Sequence, residues 1–102
     1  MARSAQEILA DIDTFRPAAG DWRPLDDLLA ELWSLGVPPA AMVVLLRVFE
    51  RFPDEDGAGV FWSVVHGLES LPDYEPVLRA SAASAPAEFK QIMLERIERA
   101  RA

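Results

Sequence analysis

The sequence predicts an all-α fold. It reads as a compact bundle or a short solenoid-like stack of five or six helices, forming one domain over residues 1–102. Three observations predict it. Apolar residues recur three and four positions apart in one segment after another. Prolines and capping residues punctuate those segments. No run alternates apolar and polar between turn residues, and Asp56-Gly57, of hairpin type, leads into a helical pattern instead.

Ser4 and Glu7 have capping-box spacing, in which each side chain satisfies an amide of the first turn. Ile8, Ile12 and Phe15 follow at helical spacing, and Arg16-Pro17 ends the first helix. Pro24 suits the first turn of a second helix, whose stripe is Leu25, Leu28, Leu29, Leu32 and Trp33. Gly36 is placed to close it in the left-handed region. Pro38-Pro39 opens a third helix with Met42, Leu45, Leu46, Phe49 and Phe52 on one side. Val43, Val44 and Val48 widen that stripe, so this helix is expected to be central.

The loop Pro53-Asp54-Glu55-Asp56-Gly57 is acidic and reads as flexible. A fourth helix begins near Gly57 or Ala58, turns Phe61, Val64, Val65 and Leu68 inward, and closes at Pro72. Asp73 is expected to cap a short fifth helix carrying Val77 and Leu78. Ser84 and Pro86 mark the start of a sixth, with Phe89, Ile92, Met93, Arg96 and Ile97 as its stripe. The expected core includes Leu28, Leu32, Leu45, Phe49, Phe61, Val65, Leu68, Phe89 and Ile92. Starts at Pro24, Pro39, Gly57 and Asp73 are 15 to 18 residues apart, a spacing compatible with stacked helical hairpins. The pairs show no self-similarity, so bundle and stack both stay open.

Composition narrows the function classes. Charged residues are 26% and apolar residues 51%, which excludes global disorder. The longest apolar run, Val37 to Leu46, has 10 residues, whereas a membrane span needs about 20. Glu7, Asp11 and Asp13 interrupt the place where a secretory signal would be apolar, so a cytoplasmic protein is expected. There is no cysteine, hence no disulfide framework and no thiol nucleophile. The net charge is −7. Residues 1–75 carry 14 acids against 5 bases, and residues 76–102 carry 3 against 5. Such a surface repels nucleic acid and attracts basic partners, and its ordinary role is solubility.

Little catalytic or ligand-binding chemistry is legible. His66 is the only histidine, so a zinc site would need carboxylates for nearly every ligand. Asp54-x-Asp56 starts like a calcium loop, but Ala58 and Val65 stand where oxygen ligands are required. No phosphate-binding glycine loop and no nucleophile elbow occurs, and no cofactor is expected. One constellation has catalytic types: Trp62, His66 and Glu69 share a helix face, and a Glu–His pair can act as base and orienter. Its ordinary reading is a histidine bonded to Glu69 or a carbonyl at the core's edge, with Trp62 packed beside it.

The block Glu55-Asp56-Gly57-Ala58-Gly59-Val60-Phe61-Trp62-Ser63-Val64-Val65-His66-Gly67-Leu68-Glu69 continues with Tyr74-Glu75, Leu78, Ser81, Pro86, Phe89 and Met93-Leu94-Glu95-Arg96. Together these resemble small all-helical immunity proteins of bacterial polymorphic toxin systems, over roughly residues 50–97. The first half, through Leu46, carries no matching motif. The resemblance implies a non-catalytic protein that binds and neutralises a cognate toxin, and it does not identify that toxin. Many such toxins carry basic surfaces, which an acidic inhibitor suits.

The expected partner is therefore a basic protein, with neither nucleic acid nor membrane as target. The expected contact residues are Asp54, Glu55, Asp56, Trp62, His66, Glu69, Asp73, Tyr74 and Glu75, with Tyr74 as anchor. No base cluster stands near the acids at either end of the fourth helix in the sequence. Two other classes remain in view. One is a helical adaptor that takes a peptide in an apolar groove. The other is a small enzyme, which needs His66 and Glu69 in one deep pocket.

Overall fold

A computed structural model describes residues 4–101. It contains six α-helices: α1 (Ala5–Thr14), α2 (Arg23–Leu35), α3 (Ala41–Arg51), α4 (Val60–Glu69), α5 (Tyr74–Ser84) and α6 (Glu88–Arg101). Among the described residues there is no β-strand, only an isolated bridge between Ala18 and Asp21. Contacts run in two rows, α1–α3–α5 and α2–α4–α6. Cross-contacts join α1 to α2, α3 to α4 and α5 to α6, and α3 also reaches α6. The two rows wind into one compact bundle with a radius of gyration of 13.2 Å, close to the ~13 Å expected of a compact chain of about 100 residues. Among the described residues, no helix is long and apolar enough to cross a membrane.

One continuous apolar core draws on every helix. Leu32, Leu45, Phe49, Phe61, Val65, Leu68 and Phe89 are buried as expected. Leu28 and Ile92 are only partly buried, because each lies at the edge of its stripe and packs against the core from outside. Helix α3 is central: it touches α1, α4, α5 and α6. Arg51 of α3 donates to the carbonyls of Ile12 and Asp13, and Arg47 donates twice to the Asp13 carboxylate, at 2.9 and 3.0 Å. The Arg51 bonds satisfy carbonyls at the C-terminal end of α1, which has no basic residue of its own there.

The capping box forms. Ser4 Oγ accepts from the Glu7 amide at 3.2 Å, and the Ser4 amide donates to Glu7 Oε1 at 3.2 Å. Ser4→Ala is expected to lower the unfolding free energy by about 1 kcal/mol in a denaturant titration.

Other boundaries shift for physical reasons. Helix α3 starts at Ala41 rather than at the prolines, which form the preceding turn: the carbonyls of Pro38 and Pro39 accept from the amides of Ala41 and Met42. Gly36 has the positive φ of 87° expected of it, but its ψ of 139° is extended, so α2 ends without a left-handed cap. Asp73 precedes α5, yet its side chain caps nothing, because its own backbone is left-handed at φ 59°, ψ 30°. Helix α5 is 11 residues long and α6 starts at Glu88, after Pro86.

Candidate functional site

The acidic loop is tied down at both ends. Its first turn closes when the Glu55 amide donates to the Phe52 carbonyl at 3.2 Å. The Asp56 carbonyl accepts from Gly59 and Phe61, and Asp56 Oδ1 accepts from the Ala58 amide at 3.0 Å. These bonds shape a 3₁₀ turn over Gly57–Gly59, with Ala58 left-handed, and α4 follows at Val60. Gly57 is required there. Its φ is +60°, and a Cβ would meet Phe61 Cδ1 at 2.7 Å. The loop expected to be flexible is thus hydrogen-bonded through Glu55 and Asp56, and its Gly57 rests against the Phe61 ring while the three acids stay exposed.

Seating the loop in this way creates a cleft of about 480 Å³. Asp54, Glu55 and Asp56 form one side, Trp62 of α4 another, and Glu88, Phe89 and Ile92 of α6 close it. Trp62 is 38% exposed. It packs edge-on against Phe89 at 5.5 Å, and the Arg96 guanidinium lies 5.9 Å from its ring centre. No ion pair among the described residues engages Asp54, Glu55, Asp56 or Glu88.

The remaining expected residues stand elsewhere. Glu69 does not bond His66. It accepts two hydrogen bonds from Arg96, at 2.7 and 2.9 Å, and this contact raises the arginine's pKa. His66 is exposed, with its ring 6.2 Å from that of Trp62, and it lines a different depression with Trp33, Val37 and Leu71. Gly67 belongs to the same place, because Trp33 lies so close that a Cβ on Gly67 would overlap its ring. His66 and Glu69 therefore do not share a pocket.

Tyr74 lies beside Glu69, Arg96, Ile97 and Arg99. Burial, then the carboxylates of Glu69 and Glu75, raise its pKa. Glu75 bonds Arg79 at 2.9 Å and also Arg101, and the Arg79 bond foremost holds its pKa below the usual carboxylate range. The expectation that no bases stand near the acids flanking α4 fails for Glu75 and holds, among the ion pairs of the described residues, for Asp54, Glu55 and Asp56. Helix α6 folds back along α5 and brings Arg96 to Glu69 and Arg101 to Glu75. Asp73 is exposed in a separate apolar depression with Val37, Met42 and Val77.

Of the nine expected contact residues, the fold gathers Asp54, Glu55, Asp56 and Trp62 in one cleft, sets Glu69 beside Tyr74 in a second, and places His66 and Asp73 in two others. Sequence reasoning missed Glu88 and the role of Arg96. Glu88 is marked only as an acid just after Pro86, and nothing local shows that it faces the loop. Among the described residues, no group of three or more His, Asp or Glu side chains is placed to hold a metal ion. No family model, curated protein or solved structure matches the chain.

Proposed function

We propose that this chain is a cytoplasmic immunity protein that binds a basic bacterial toxin domain and neutralises it without catalysis. One observation carries the reading. The carboxylates of Glu69 and Glu75 are matched by arginines, whereas those of the Asp54–Asp56 loop stand unmatched beside an exposed tryptophan. An unmatched acidic rim beside an aromatic anchor suits a basic protein surface. The resemblance of roughly residues 50–97 to immunity proteins supplies the class of function. The absence of a His66–Glu69 bond weighs against the enzyme reading, since that pair was its sole constellation. Nucleic acid and membranes are not its targets.

Co-expression with the product of the neighbouring upstream gene tests the reading. Rescued growth and a co-purifying complex are expected, and failure of both sinks it. In that complex, changing Asp54, Glu55 and Asp56 together to serine should slow association about tenfold at low salt and far less at high salt. An unchanged on-rate at low salt would remove the loop from the interface.

One feature favours the adaptor alternative. A groove of about 590 Å³ between α3 and α5 is lined by Val43, Leu46 and Val77, and Val43 is half exposed. An apolar peptide that bound there while the upstream product did not bind at all would establish that alternative.

A further inference from the structure

The loop cleft joins two kinds of surface. Its walls include the exposed Trp62 ring with Phe89 and Ile92, and its rim carries the carboxylates of Asp54, Glu55, Asp56 and Glu88. An apolar wall with an anionic rim fits a side chain that is flat, weakly hydrated and cationic. Arginine has that character, because its guanidinium stacks on an aromatic face while its edge donates to carboxylates. Lysine presents a compact, strongly hydrated charge that gains less from such a wall.

The protein contains its own instance of this recognition. Arg96 lies over Trp62 and donates twice to Glu69. Arg96 does not line the loop cleft, so its charge leaves the four carboxylates there unmatched. The same clamp, with the Phe89 edge contact, holds the Trp62 ring in place before any partner arrives. Little side-chain entropy is then lost on binding.

We propose that this cleft is a socket for one arginine side chain of a protein partner, with Trp62 as the anchor rather than Tyr74. That the arginine belongs to a protein partner rests on the function proposed above; the chemistry of the socket does not.

The test uses the full chain labelled with ¹⁵N and titrated with N-acetyl-arginine amide. N-acetyl-citrulline amide, the neutral isostere, and N-acetyl-lysine amide serve as comparisons. Arginine is expected to shift the Trp62 indole N–H and the amides of residues 54–56 and 88–92 saturably. Citrulline should shift none of them, and lysine should bind more weakly. Glu55→Gln and Glu88→Gln should each weaken the arginine interaction roughly two- to fivefold. Equal binding of citrulline or lysine overturns the proposal. So do shifts spread equally over Asp26 and Asp27, or affinity unchanged in both variants. Growth rescue without arginine binding would discard the socket and keep the inhibitor reading. Arginine binding without rescue or complex would do the reverse.

Discussion

Phe61→Ala is expected to lower the unfolding free energy by about 3–5 kcal/mol, through lost transfer energy and the cavity left behind. Phe61 is fully buried at the centre of an aromatic cluster. Its ring centre lies 5.4 Å from those of Trp22, Phe49 and Phe89, so one deletion removes three ring contacts. Each such pair is worth about 0.5–1.5 kcal/mol beyond area burial, which puts the expected cost at the upper end. The ring also supports the acidic loop, because Gly57 rests directly against it. The variant should therefore lose more than stability. Where it is still folded, the arginine-induced shifts at residues 54–56 should diminish. A denaturant titration reads the first effect as a lower midpoint at constant slope. A loss below about 1 kcal/mol would show that the cluster closes over the gap or that Phe61 is not its centre.

The helices were legible because their signals are local. Proline, a capping pair and a three-four apolar period each act within a few residues, which is why each of the six helices overlaps a segment whose pattern is helical. The shifts have local causes of another kind. Ala41 rather than Pro39 starts α3, because two successive prolines build the turn before the helix instead of its first turn.

The site was half legible. Spacing places Trp62, His66 and Glu69 on one face, but it cannot say which of them will be claimed from outside. Arg96, 27 residues after Glu69, takes that carboxylate and reduces the apparent Glu–His pair to a lone exposed histidine. The meeting of Glu88 with the Asp54–Asp56 loop depends likewise on α6 packing against α3 and α4. Lys90, the only lysine, precedes Met93 by three and Ile97 by seven, which puts a charge on the inner face of α6.

That lysine underlies the second large expected effect. Lys90 is fully buried, a position a charged side chain occupies only when paired. Its ammonium donates to the carbonyls of Ser81, at 3.2 Å, and Ala85, and it pairs with Glu50 Oε2 at 3.2 Å. One group thus ties the C-terminal ends of α5 and α3 to α6. Glu50→Ala would leave the buried ammonium with two carbonyls and no counter-charge. Removing one partner of a buried pair costs about 3–5 kcal/mol, because the remaining charge stays uncompensated. The Glu50 side chain is 30% exposed, so water can reach this end of the pair. A loss near the lower limit, about 3 kcal/mol, is therefore expected. Glu50→Gln separates charge from geometry. It keeps an oxygen that accepts from the Lys90 ammonium, in a bond still assisted by the donor's charge, but removes the counter-charge. Its cost should fall between wild type and Glu50→Ala when the three proteins are unfolded in denaturant at one pH. Equal losses in the two variants would assign the whole effect to charge. A Glu50→Ala loss below about 1 kcal/mol would show that the α5 carbonyls alone satisfy the ammonium.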